Sequence, residues 1–126
     1  MKKLLELKKE ISVKTGIALN CEIESYIQEK KKIPCKGLNR RPIFLDKYLE
    51  ATKGRIDKTR RRQKFWPGLE LIRRAKLEDM TNKMKEPTGE MSFEFKGITP
   101  GGELVGVHIR EVLEGKNKKL YLISTF

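Results

Sequence analysis

The 126-residue sequence contains a single imidazole, and an arginine follows it at the spacing that places both on one side of a strand. His108 and Arg110 alternate with Val105, Val107 and Ile109, which would face the opposite side. An imidazole exchanges protons near neutral pH, whereas a guanidinium binds anionic oxygens. Residues of these types, two positions apart, indicate proton-transfer chemistry on an anionic substrate.

A hydroxyl group is expected opposite His108. Residues 114–118 have loop composition, so the runs on either side should pair as an antiparallel hairpin. Two turn registers are possible, and they place either Thr125 or Ser124 opposite His108, with about 5 Å between Cβ atoms. The predicted site is therefore His108, Arg110 and one of these hydroxyls. The alternative is that His108 only covers a solvated sheet face.

The hairpin needs a sheet to support it, and the sequence before it supplies one more strand. Residues 91–96 alternate apolar and polar side chains, and Thr99–Gly102 has the composition of a turn. Residues 91–126 are therefore predicted to form a three-stranded antiparallel meander.

The earlier part of the chain is predicted to be mainly helical. Apolar residues at helical spacing favour helices at residues 2–15, 17–32, 43–52, 56–64 and 69–84. The prolines and glycine of 33–42 indicate a loop, and 65–68 and 86–89 indicate turns.

Helices first and sheet last predict one α+β domain over 1–126. Residues 1–64 would be its helical portion. Residues 65–126 would form a helix packed on one face of the antiparallel sheet, with the other face open and carrying the site.

The charge of the chain favours a polyanionic partner. The net charge is +12, and residues 53–76 hold ten Lys and Arg against two acidic residues. Such a density attracts phosphate backbones without sequence preference. The predicted nucleic-acid-binding residues are Arg55, Lys58, Arg60, Arg61, Arg62, Lys64, Arg73 and Arg74. An acidic protein is an alternative partner, whereas a membrane is disfavoured because no apolar anchor accompanies the charge.

Several chemistries lack their motifs in this sequence. A Gly-rich phosphate loop, zinc-ligand spacing and a nucleophile elbow are absent, so neither a cofactor nor a metal is expected. No membrane span or signal peptide is predicted, and Cys21 and Cys35 are expected to be reduced and at least partly buried. RNA carries its own nucleophile, the 2′-hydroxyl, so its cleavage needs only proton transfer and charge stabilisation.

The C-terminal half resembles a known group of ribonucleases. The segments MSFEFKGI, ELVGVHIREV and LYLISTF, preceded by a helix and a Pro/Gly turn, are similar to the barnase–EndoU–colicin–RelE-like (BECR) metal-independent ribonucleases. The similarity extends over roughly residues 65–126 and is greatest to bacterial contact-dependent inhibition and phage-associated toxins. Residues 1–64 have no counterpart in it.

The resemblance implies a set of site residues on the open sheet face. It supports His108, Arg110 and Thr125, with Ser124 as a substitute, and ranks Lys96, Glu94 and Tyr121 second. Because the chain has one histidine, the two-imidazole mechanism of some members is excluded.

The expected function is a toxin-type endoribonuclease, with tRNA as a candidate substrate and a 2′,3′-cyclic phosphate product. Its expected partners are RNA and an acidic cognate inhibitor or immunity protein. It would act in the bacterial cytoplasm after secretion or delivery into a target cell. The alternatives are a non-catalytic basic RNA-binding module and a basic interaction domain for an acidic protein.

Overall fold

A computed structural model describes residues 4–126, which contain four α-helices and one seven-stranded sheet and so have the predicted α+β class. The helices are α1 (Gly16–Lys30), α2 (Tyr48–Thr52), α3 (Lys58–Gln63) and α4 (Phe65–Arg74). The strands are β1 (Leu5–Glu6), β2 (Lys32–Cys35), β3 (Arg41–Phe44), β4 (Met80–Lys85), β5 (Met91–Ile98), β6 (Leu104–Glu114) and β7 (Asn117–Thr125). Short 3-10 helices cover Lys36–Leu38 and Leu77–Asp79.

The predicted meander is the centre of a larger sheet. Strands follow the order β1-β5-β6-β7-β3-β2, and β4 also pairs with β5. The pairs β5–β6 and β6–β7 are antiparallel, as predicted, whereas β1 pairs with β5 and β3 pairs with β7 in parallel. The three C-terminal strands therefore hold both parallel strands contributed by the N-terminal half.

The predicted helix at 2–15 is wrong for the described residues 4–15. This segment is extended: β1 pairs with β5, and the Leu7 amide donates to the Ile98 carbonyl. Gly16, with φ of +54°, is the first residue of α1 instead of the end of a preceding helix. The Glu70 carboxylate accepts the next two amides of the extended segment, so contacts distant in sequence determine its conformation. Residues 2 and 3 of the predicted helix lie outside the described range.

The predicted loop at 33–42 is a β-hairpin. Strands β2 and β3 pair antiparallel, with Pro34 opposite Pro42. Proline is tolerated here because β2 is an edge strand and β7 contacts β3 only at Ile43 and Phe44. The predicted helix at 43–52 consequently begins only at Tyr48.

The predicted helix at 69–84 is correct only in its first part. It begins earlier, because residues 65–68 form the first turn of α4, and it ends at Arg74. Residues 80–85 are a strand, since β5 offers a free edge whose backbone groups β4 satisfies. Leu77, between α4 and β4, has a relative exposure of 67%.

The core lies between the sheet and α4. Phe65, Leu69 and Ile72 on α4 are buried against the sheet. The approach is close at Gly68, where a Cβ atom would lie 2.8 Å from Cγ2 of Thr125. The prediction that a helix packs on one sheet face is therefore confirmed. The opposite face of β5, β6 and β7 is called the His108 face below.

The two cysteines have different environments. Cys35 is buried on β2, and desolvation raises the pKa of its thiol to about 11. Cys21 is exposed on α1, contrary to the expectation that both thiols are at least partly buried. Neither forms a disulfide, as expected for reduced thiols.

Candidate active site on the His108 face

Three polar side chains form a row across the central strands. Glu94 on β5 lies directly opposite His108 on β6, and His108 lies directly opposite Ser124 on β7. Directly opposed side chains in an antiparallel pair have Cβ atoms about 4.5–5.5 Å apart. The row therefore brings a carboxylate and a hydroxyl to the two sides of the imidazole.

A β-bulge sets which hydroxyl reaches His108. Ile109 pairs with Leu122, whereas His108 pairs with Ser124, so Ile123 is an extra residue in β7. A regular strand continuing the Ile109 pairing would have placed Ile123 opposite His108. The bulge instead presents Ser124, so a hydroxyl does lie opposite the imidazole. The hairpin itself has neither of the two predicted turn registers, because Glu114 pairs with Asn117.

Thr125 is not part of the row. It pairs with Val107 on the core face and is fully buried. Its Oγ1 lies 2.6 Å from Oη of Tyr48, whose pKa is raised by burial, and donates to the Arg61 carbonyl. The register therefore separates Thr125 from His108, although the sequence predicted it as a site residue.

The site contains two buried polar atoms without a partner. His108 Nε2 and Arg110 Nε are both buried, and neither has a hydrogen-bond partner among residues 4–126. Nη2 of Arg110 lies 3.7 Å from the Glu86 carboxylate, which also accepts a 2.6 Å hydrogen bond from Ser92. Buried polar groups in proteins are nearly always paired, so two orphaned atoms two residues apart make this face a candidate site. Trp66 Nε1 is a third such atom among the described residues and lies on α4.

Arg61 joins the site from α3. Its Nη1 donates to Ser124 Oγ at 2.8 Å, and its Nε donates to Asp57 at 2.8 Å. The route exists because β3 pairs with β7 only at Leu120 and Tyr121, which leaves the end of β7 free for α3. The sequence predicted Arg61 only as one of several nucleic-acid-binding cations, and nothing in its local pattern indicated this contact.

The imidazole of His108 is held in its neutral form. Burial is the largest influence and lowers its pKa below the ordinary 6.5. The charges of Arg110 and Arg55 lower this pKa further, whereas those of Glu94 and Glu86 raise it. At pH 7 the side chain is therefore a proton acceptor with a carboxylate ready to stabilise its protonated form.

The second-ranked residues Glu94, Lys96 and Tyr121 lie at different distances from His108 along the sheet. Glu94 is in the row with His108, and Lys96 is exposed one row further along, opposite Gly106. Tyr121 lies opposite Arg110, but its hydroxyl donates to Glu114, which raises its pKa to about 12. Tyr121 is therefore unsuited to proton transfer near neutral pH.

Arg62 is a structural residue, contrary to its predicted role in nucleic-acid binding. Its relative exposure is 6%, and its guanidinium donates to Thr52, Asn20 and the Leu49 carbonyl. These contacts join α1, α2 and α3. A buried guanidinium with these partners is unavailable to phosphate.

The other predicted cations lie on two sides of the molecule. Arg73 donates to Tyr26, and Arg74 bonds Glu70, on the α4 side of the sheet. Arg55, Lys58 and Arg60 are exposed in and before α3, the helix that carries Arg61 to the His108 face, and Lys64 directly follows it. Only this second group adjoins the site. Arg60 also forms a 2.7 Å ion pair with Glu103.

No protein-family model matches the sequence, and no curated protein or solved structure is significantly similar to it. Within residues 4–126, no helix is long and apolar enough to cross a membrane. The same part of the chain contains no group of three or more His, Cys, Asp or Glu side chains arranged to hold a metal ion.

Proposed function

We propose that the protein is an endoribonuclease that cleaves RNA by attack of the 2′-hydroxyl on the adjacent phosphate. The observation that carries this proposal is the pair of orphaned atoms, His108 Nε2 and Arg110 Nε, buried on one sheet face. Ser124, which pairs with His108, accepts a hydrogen bond from Arg61. A phosphodiester offers oxygen atoms for both guanidinium groups and a neighbouring 2′-hydroxyl for the imidazole.

His108 accounts for one proton transfer of the reaction and solvent for the other. His108 takes the proton of the 2′-hydroxyl while the 2′-oxygen forms its bond to phosphorus. The bond from phosphorus to the 5′-oxygen breaks, and that oxygen takes a proton from solvent at this open face. The products are a 2′,3′-cyclic phosphate and a 5′-hydroxyl. Glu94, opposite His108, stabilises the imidazolium that forms.

The two arginines stabilise the transition state electrostatically. Negative charge increases on the non-bridging phosphate oxygens as the new bond forms, and prepositioned guanidinium groups offset it. Arg61 is held by hydrogen bonds to Asp57 and Ser124, and Arg110 lies near the Glu86 carboxylate. These contacts restrict the movement of both guanidinium groups during the reaction.

The surrounding charge supports a polyanionic substrate. The exposed cations Arg55, Lys58 and Arg60 lie in α3, which contains Arg61, and in the segment before it. Such a positive surface is expected to bind a nucleic-acid backbone. We propose the role of a toxin-type ribonuclease in the bacterial cytoplasm, with tRNA as a candidate substrate. An acidic inhibitor would bind the same positive surface.

Incubation with total cellular RNA, followed by chemical mapping of the fragment ends, tests the function. Fragments with 2′,3′-cyclic phosphate and 5′-hydroxyl ends are expected. Binding without cleavage would instead assign a non-catalytic RNA-binding module. If the protein neither binds nor cleaves RNA, the positive surface would be assigned to binding an acidic protein.

A further inference from the structure

An aromatic ring lies on the His108 face one row from the candidate site. Phe126 and Gly106 exchange backbone hydrogen bonds of 2.6 and 2.9 Å, and Lys96 on β5 lies opposite Gly106. Lys96, Gly106 and Phe126 thus form a second row, parallel to the row of Glu94, His108 and Ser124. Gly106 and His108 are two residues apart, which is about 7 Å along a strand.

The Phe126 ring lies directly over Gly106. A Cβ atom at position 106 would come within 2.4 Å of two ring carbons, so only glycine lets the ring lie this close to the backbone. The side chain of Phe126 is only partly buried, and Nζ of Lys96 lies 5.8 Å from the ring centroid. The strand supports the ring from below, and the ammonium of Lys96 lies over the ring.

We infer that Phe126 is a stacking platform for an unpaired nucleobase next to the scissile phosphate, which makes single-stranded RNA the substrate class. The inference rests on the proposed ribonuclease function. The base of the nucleotide adjoining the reacting one stacks on the ring in place of the Lys96 ammonium, which then neutralises the phosphate of that nucleotide.

The row of Lys96, Gly106 and Phe126 is suited to binding an unpaired base and not a base pair. Every nucleobase has an aromatic face, so stacking on Phe126 requires no particular sequence. In a duplex the base faces are already covered by their neighbours. A cation beside an aromatic platform is the arrangement by which proteins bind a single strand through its bases and its backbone together. Duplex RNA would contact the cations of α3 without reaching the ring.

A binding experiment isolates the platform from cleavage. The background is the His108→Ala variant, and the ligands are a fluorescent single-stranded oligoribonucleotide and the duplex of the same sequence. Phe126→Leu keeps an apolar side chain but removes the aromatic face, whereas Phe126→Tyr keeps that face. Gly106→Ala leaves the ring present but displaces it. Thermal denaturation confirms that each variant is folded.

Phe126→Leu and Gly106→Ala are expected to weaken single-strand binding roughly tenfold, the contribution of one stacked base, and to leave duplex binding unchanged. Phe126→Tyr should bind like its parent. An oligonucleotide with one abasic position, moved along the strand, should make the Phe126→Leu effect disappear at one position only.

An equal effect of Phe126→Leu on both ligands, or no effect on either, would overturn the platform even if the wild-type protein cleaves RNA. A single-strand effect that disappears at one abasic position would support it. If that result is found with a wild-type protein that cleaves no RNA, the proposed function fails while the stacking site stands.

Discussion

The imidazole of His108 has a carboxylate on one neighbouring strand and a hydroxyl on the other, which is an arrangement for moving one proton. Because His108 is the proton acceptor in the proposed reaction, His108→Ala should reduce kcat/KM for RNA cleavage roughly a hundredfold to ten-thousandfold. His108→Gln, which keeps polarity but not basicity, should be equally impaired. Cleavage assays with both variants measure this effect. Full activity in either variant would show that His108 does not accept the proton.

The pH dependence follows from the lowered pKa of His108. The active form is neutral, and burial places the free-enzyme pKa below 6.5. The value of kcat/KM should therefore be at its plateau at neutral pH and decrease as the pH falls below the lowered pKa. A kcat/KM profile between pH 4 and 9 tests this, and activity that instead increases on acidification would make the imidazolium a general acid.

Adjacent arginines on α3 provide a matched pair of variants. Arg61 bonds Ser124 in the site, whereas Arg60 is exposed and pairs with Glu103 outside it. Arg61→Ala should lower kcat roughly a hundredfold, the usual effect of losing one donor to a developing oxyanion. Arg60→Ala removes the same charge and should change mainly RNA affinity. Equal loss of kcat in both variants would show that only the total charge matters.

At the scale of elements, the short helices are held together by one buried cation. Arg62 connects α3 with Asn20 of α1 and with α2, and hydrogen bonds to charged groups contribute about 1.5–3 kcal/mol each. Arg62→Ala should therefore lower the free energy of unfolding by at least about 2 kcal/mol. Lys58→Ala, an exposed change in the same helix, should stay within about 0.5 kcal/mol. Urea denaturation compares them, and equal stability of the two variants would contradict the structural role of Arg62.

At the scale of the whole molecule, the proposed catalytic groups and the positive surface are all protein side chains. In the proposed reaction His108 transfers the proton, and Arg61 and Arg110 stabilise the negative charge. No metal ion is needed, so cleavage should persist in excess EDTA. Fragment yield with and without EDTA measures this. Loss of cleavage that magnesium restores would contradict the mechanism.

Salt should affect binding as it does for other proteins that neutralise phosphates. The logarithm of RNA affinity should decrease linearly with the logarithm of salt concentration, by about 0.7–0.9 for each phosphate contact. Because Arg62 is buried and Arg73 is on the α4 side, neither should contribute to that slope if RNA occupies the His108 face.

The sequence alone determined the three central strands of the sheet and the side of β6 on which the candidate site residues lie. Alternation of apolar and polar residues is a local pattern, and it predicted β5, β6 and β7 because each of these strands has one buried face. That pattern also placed His108 and Arg110 on the same side. A hydroxyl opposite the imidazole was also predicted, but the regular register of the β6–β7 hairpin would have placed Ile123 there.

Only the tertiary structure decided the remaining strands and the composition of the site. Strands β1 and β3 are short, and each forms because an edge distant in sequence offers backbone partners, which no local periodicity records. Strand β4 forms a hairpin with β5, the next strand in the chain. Likewise, the bulge at Ile123 selects Ser124 over Thr125, and the free end of β7 admits Arg61. The approach of α3 depends on contacts between segments more than sixty residues apart, and those contacts arise only when the whole chain has folded.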